Sequence, residues 1–143
     1  MAAEATIRSS LQIKADDIEY QSRPTAYTAD VTGRKGPAPG AFTATIAGTD
    51  VDFSELTTPS LCRIQNQDAT NRVDVGIWDP ETGVFYPVDE LLPGESYVRR
   101  LSRNLAGEYG TDPPAGTTGP NTNRLRVRAF SASCVVLVEA FEL

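Results

Sequence analysis

Residues 72–88, RVDVGIWDPETGVFYPV, decide the fold class. Val73, Val75 and Ile77 share one parity while Arg72 and Asp74 take the other, the period of two that sends alternate side chains to opposite faces of a strand. The run ends at Trp78, and DPETG (79–83) follows, with proline early in the turn and glycine where a positive φ is wanted. On the return side Val84, Tyr86 and Val88 keep one parity and Phe85 the other. The unit is a β-hairpin.

The same period extends outward in both directions. Downstream, PGES (93–96) is a second tight turn into YVRRL (97–101), and in RLRVRAFSA Leu125, Val127 and Ala129 alternate with Arg124, Arg126 and Arg128. Cys134 to Val138 is apolar on both parities and reads as a central strand. Upstream, Cys62 and Ile64 follow Pro59, Val51 and Phe53 alternate with Asp50 and Asp52, and Phe42, Ala44 and Ile46 alternate with Thr43 and Thr45. Tyr27, Ala29 and Val31 alternate with Thr28 and Asp30, and ATIRSSLQIKA (5–15) is an amphipathic strand with Ile7, Leu11, Ile13 and Ala15 on one parity. No window of 11 or more residues shows a 3.6-residue period. The best helical candidate, VDELL (88–92), is stopped by Pro93 and leaves at most one helical turn. The pattern predicts an all-β chain: a two-layer antiparallel β-sandwich of about nine or ten short strands, with the jelly roll among the topologies open to it.

Two stretches punctuate the strands. TGRKGPAPG (32–40) holds three glycines and two prolines, and residues 104–123 hold four glycines, three prolines and almost no large apolar side chain. Both read as loops, the second too poor in apolar surface to offset its ordering entropy. The chain, 143 residues long, fits one domain over 1–143, with residues 1–20 either a strand of the sandwich or an arm.

Composition excludes several functions. No apolar run approaches a membrane span, and MAAEATIRSSLQIK lacks a basic region followed by an apolar one, so synthesis and retention in a cytoplasm is expected. In that compartment Cys62 and Cys134 are expected as reduced, packed thiols. Histidine is absent, which removes histidine-activated nucleophiles and almost all zinc sites. A net charge of −6 argues against a grip on nucleic acid. No glycine cluster has the spacing of a phosphate loop, and no cofactor or metal is expected.

Among the carboxylates, Asp50 with Asp52, Asp79 with Glu81, and Asp89 with Glu90 are close pairs. Asp50 and Asp52 on one strand face could run acid and base steps on a sugar or help chelate calcium, or could be a solvated polar face. Trp78 with Tyr86 could form a sugar platform, or Trp78 could pack a hairpin. Arginine outnumbers lysine eleven to two, and residues 1–98 carry −8 against +2 for residues 99–143. Arg124, Arg126 and Arg128 must project from one strand face, a row of planar donor forks. Such a row pairs either with acids of its own sheet or with carboxylates of a partner. The candidate partner-binding residues are Arg99, Arg100, Arg103, Arg124, Arg126 and Arg128.

Two blocks, residues 56–105 and 122–143, go further. The order of IQNQDATN (64–71), GIWDPETGVFYP (76–87), LLPGESYVRRLSRNL (91–105) and a terminal apolar strand resembles small β-rich virion structural proteins of tailed bacteriophages. The resemblance covers roughly half the chain, and its motifs are turns and strand ends without catalytic residues. It implies a non-enzymatic virion component assembled in the host cytoplasm. Its partners would be the major capsid protein and neighbouring copies of itself, and a capsid decoration or cement trimer is the leading expectation. A head-fibre, neck or tail accessory protein is the alternative, and a carbohydrate- or receptor-binding sandwich is the alternative of another class.

Overall fold

The structure is a computed structural model that describes residues 4–30, 35–56, 59–101 and 124–142. The chain divides into two compact units, Met1–Thr32 and Gly33–Leu143. Every regular element among the described residues is a strand.

The larger unit holds β5 (Ala38–Ala44), β6 (Thr49–Asp50), β7 (Pro59–Asn66), β8 (Val73–Asp79), β9 (Val84–Leu91), β10 (Ser96–Arg100), β11 (Arg124–Ala129) and β12 (Cys134–Glu142). They form two antiparallel four-stranded sheets in the orders β10-β7-β12-β5 and β6-β11-β8-β9. Counted within this unit the orders are sixth-third-eighth-first and second-seventh-fourth-fifth, which is the winding of a jelly roll. The period-two residues explain the layering. Cys62 and Ile64 of β7, Val73 and Val75 of β8, Leu125 and Val127 of β11, and Val136 and Val138 of β12 are at most 1 % exposed and form one core. Val51, Phe53 and Leu56 join that core from the irregular chain after β6.

One buried polar side chain ties the loops at one end. Asn66, closing β7, is fully buried, and its Nδ2 donates to the carbonyl oxygens of Asn71 (2.8 Å), Leu91 and Leu92 (3.2 Å each). Its Oδ1 accepts from the Asp68 N–H at 3.0 Å. Its backbone N–H donates to the Glu95 carbonyl at 2.9 Å, and its carbonyl accepts from the Gly94 N–H at 3.1 Å. Asp68 in turn accepts from the N–H groups of Thr70 and Asn71. In the β8–β9 hairpin Asp79 accepts from the N–H of Glu81 at 2.9 Å and from the Thr82 hydroxyl at 2.7 Å. Gly83 then closes the turn at φ +68°, which a side chain rarely adopts. The polar residues of IQNQDATN, DPETG and LLPGE are therefore turn-makers.

The smaller unit is a two-stranded ribbon. β1 (Glu4–Ser9) pairs with β4 (Thr25–Asp30), and β2 (Gln12–Ala15) with β3 (Ile18–Gln21). Leu11 and Ser22 join the two segments, the Ser22 N–H donating to the Leu11 carbonyl at 2.8 Å and the Leu11 N–H to Ser22 Oγ at 2.7 Å. The register puts Ile7 opposite Tyr27, Ile13 opposite Tyr20 and Ala15 opposite Ile18. Each of these pairs shares a side of its own segment, and Leu11, Ile13, Ile18, Tyr20 and Tyr27 are each 44–56 % exposed.

Three local expectations change. The strand read over 5–15 is broken at Ser10 and Leu11 and reverses at Asp16–Asp17, so it supplies two strands of the ribbon. The loop read over 32–40 gives way to β5 at Ala38, where Pro39 is tolerated because β5 is an edge strand with no second neighbour to receive an N–H. The helical turn expected in VDELL is strand through Leu91, because Asp74 and Val75 of β8 hold Glu90 and Asp89 in register. The loop expected over 104–123 lies outside the described residues.

Candidate interaction surface

The outer face of the sheet β6-β11-β8-β9 is built in rows set by the register. Asp50, Arg126, Gly76 and Pro87 lie across the four strands; Arg124, Trp78 and Phe85 form the next row, and Arg128, Asp74 and Glu90 another. Leu125, Val127 and Ala129 fill the core from the opposite side of β11, so the three arginines are fixed outward. Arg126 Nε donates to Asp50 Oδ1 at 2.6 Å, Arg124 Nη1 to Asp50 Oδ2 at 3.1 Å, and Arg128 Nη2 to Asp74 Oδ2 at 3.1 Å. Beside them Arg72 and Glu90 pair at 3.3 Å.

Aromatic rings cover what the acids leave. The Arg126 guanidinium lies 3.8 Å above the centre of Trp78, that of Arg128 4.6 Å from Phe85, and that of Arg72 3.9 Å from Phe130. Gly76 makes the layer possible. Strand β9 bulges against it, since Val75 faces Asp89 whereas Gly76 faces Pro87, and a Cβ at Gly76 would collide with the Tyr86 carbonyl oxygen.

Burial pushes the Asp50 carboxyl up, yet the hydrogen bonds and charges of Arg126 and Arg124 outweigh it and hold Asp50 below the usual carboxylate value. Asp52 is also held low, through hydrogen bonds from Ser54. An acid–base pair needs one carboxyl raised so that it keeps a proton, and here both are lowered. Among the described residues no three Asp, Glu or Cys side chains gather as a metal site. Trp78 and Tyr86 do not form a platform either. Trp78 pairs with Phe85 on the outer face, Tyr86 pairs with Ile77 on the opposite parity, and one face of the indole is taken by Arg126.

The six arginines read from the sequence do not form one patch. Arg124, Arg126 and Arg128 share the face just described. Arg99 and Arg100 are consecutive in β10, so they point to opposite sides, and β10 belongs to the other sheet. Arg99 stands opposite the buried Cys62 and reaches between the sheets to Asp89 of β9 at 2.9 Å. Tyr97 shares that space, and burial pushes its phenol well above the ordinary value. Arg100 is exposed on the outer face of its own sheet, opposite Leu61. Arg103 lies outside the described residues.

That second outer face mixes apolar and polar side chains, with Ser96, Arg100, Gln65 and Thr43 among the latter. Val98 and Val135 are 48 % and 46 % exposed, with Leu137, Phe141 and Ala41 on the same parity. Its centre is the ion pair of Arg63 with Glu139 at 2.7 Å. The run Cys134–Val138, apolar on both parities, is the sequence signal for this face, because in a two-layer sandwich one side of each strand faces away from the core. Compared with family profiles, curated proteins and solved structures, the chain gives no match.

Proposed function

We propose that the chain is a structural protein of a tailed-phage virion, a decoration or cement protein. In this reading it binds the assembled shell of the major capsid protein as a trimer and stabilises it. The observation that carries this reading is the pair of extended, differently built outer faces on one sandwich, a locked arginine–aromatic layer and a mixed face on which Val98 and Val135 are about half exposed. A jelly roll hosts many functions, so the argument rests on these surfaces and on the motif resemblance. Guanidinium groups already paired and stacked lose little freedom on docking, and arginine sheds water more readily than lysine. Binding the assembled shell more tightly than its loose parts stabilises the shell by mass action, with no chemistry from this chain.

The test is to strip the protein from purified capsids and add it back. The proposal expects stripped shells to lose resistance to heat and osmotic shock and the added protein to restore it. Stripped shells as resistant as intact ones would reject the cement role. Density on the neck or tail, in place of the head surface, would favour the accessory-component alternative.

A further inference from the structure

We infer that the arginine–aromatic face of the β6-β11-β8-β9 sheet docks an extended acidic segment of a partner protein, whose Asp or Glu side chains at alternate positions meet Arg124, Arg126 and Arg128. The inference deepens the proposed decoration role and rests on it for the source of that segment, the shell.

The arginine row is only partly used by its own sheet. Arg124, Arg126 and Arg128 each give a single hydrogen bond to Asp50 or Asp74, although a guanidinium carries five N–H donors in a planar fork. None is held in the two-pronged carboxylate geometry that makes arginine pairs strong. Asp50 is shared between two cations, one on each oxygen. The Nε groups of Arg72 and Arg124 are buried with no acceptor among the described residues. Donor capacity on this face therefore exceeds what its own acids take up.

Depth and charge set the chemistry of the partner. Asp74 is 16 % exposed against 40 % for Arg128, and Asp50 28 % against 36 % for Arg124, so an approaching surface meets N–H groups before carboxylates. The face sets Arg72, Arg124, Arg126 and Arg128 against Asp50, Asp74 and Glu90, four cations to three anions, in a chain of net −6. Salt screens charges beyond about 8 Å under physiological conditions, so this local excess acts on a short ligand. A long polyanion such as duplex DNA overruns the face and meets the acidic remainder of the chain.

Spacing sets the shape of the partner. Alternate residues of β11 stand ~6.6 Å apart, and alternate side chains of any extended segment repeat at the same interval. Three carboxylates in a row therefore fall in register with the three guanidiniums. Arg126 is clamped between Asp50 and the Trp78 ring, so the centre of the row is ordered before docking and loses little side-chain freedom. Phe85 and Phe130, stacked against Arg128 and Arg72, add apolar surface that keeps water from the contacts.

Calorimetric titration of the full-length chain with a synthetic peptide alternating glutamate and threonine tests this, and Trp78 emission records whether the layer itself is engaged. The expected result is binding that changes the emission and weakens about tenfold or more between about 50 and about 300 mM salt. The same peptide with glutamine in place of glutamate should not bind. Arg124→Gln with Arg128→Gln should weaken binding by about tenfold or more. Arg124→Lys with Arg128→Lys should fall in between, because the charge stays and the fork goes; it also serves as the test should the glutamine pair fail to fold. Lys14→Gln, which removes a charge from the N-terminal ribbon, should bind as the parent does. A glutamine peptide that binds equally well overturns the inference, as do arginine-pair variants that bind like the parent. Tighter binding of heparin or duplex DNA than of the glutamate peptide overturns it too, by marking a general polyanion site. Cosedimentation with shells separates the two levels. Shells that hold the parent and the Arg124→Gln, Arg128→Gln variant equally reject the acidic-segment inference and leave the decoration role standing. Peptide binding without shell binding rejects the decoration role and leaves the chemistry of the face standing.

Discussion

Replacing Asn66 by alanine should cost about 3 kcal/mol, out of proportion to the three heavy atoms removed. The side chain is fully buried, and its two amide protons serve three carbonyl oxygens while its oxygen accepts one N–H. Taking the sum as three full hydrogen bonds at a net ~1 kcal/mol each gives that figure, and stranding the buried Leu91 carbonyl adds to it. For a unit of this size the loss corresponds to a melting temperature lower by about 10–15 °C. Urea unfolding followed by Trp78 fluorescence measures it directly, since the chain has a single tryptophan. Asn66→Asp sharpens the test. It keeps the shape but aims a carboxylate at carbonyl oxygens, so at neutral pH it should be no more stable than the alanine variant. Burial among acceptors raises the folded-state value of that carboxyl. The aspartate variant should therefore gain stability as pH falls through the raised value, where the protonated form donates one hydrogen bond. A loss below about 1 kcal/mol for Asn66→Ala, or an aspartate variant matching the parent at neutral pH, would refute the claim that this side chain ties the loops.

Four further outcomes follow from other sites. Asp50 has a lowered folded-state value, so its contribution is fully present above its unfolded value of 3.8 and is lost as pH falls through the lower folded one. Asp50→Asn should flatten that acid limb of the stability curve, and a parallel limb would count against the Arg124–Asp50–Arg126 cluster. Arg126→Lys keeps the charge but loses the planar stack, so Trp78 emission should change and about 1 kcal/mol of stability should go; an unchanged spectrum would contradict the stacking. Gly76→Ala should destabilise by about 2 kcal/mol or more, since β8 and β9 must separate to admit the methyl group, and near-parent stability would show that the bulge yields easily. Burial pushes the Cys62 thiol up to about 12, and Cys134 is also raised, so both should resist alkylation in the native chain and react on unfolding, as mass spectrometry would report.

The sandwich was legible because its strands obey period two with few exceptions. Leu125, Val127 and Ala129 against the three arginines of β11 could be placed to inside and outside from spacing alone. The ribbon was not legible. Residues 5–15 carry the same alternation as a core strand, and alternation states which side is apolar without stating what covers it. The arginine cluster was half legible. Spacing gave the row on β11, but its partners Asp50 and Asp74 are set by strand order, a long-range property absent from local pattern. Arg99 and Arg100 lie in a strand of the other sheet, which nothing in their spacing from Arg124, Arg126 and Arg128 reveals. Asn66 gave no local signal, because a buried asparagine and a turn asparagine look alike until the carbonyls around it are known.

The jelly-roll winding has a mechanical corollary. Because β5 and β12 are antiparallel neighbours with Ala38 beside Ala140, the chain enters and leaves the sandwich at the same corner. Tension applied between those two points would peel the pair apart one hydrogen bond at a time, the weak direction of loading for a sheet. A peptide fused after Glu142 would emerge at the point of entry, which suits the domain for carrying appended cargo and for re-cutting its ends elsewhere in the loop network.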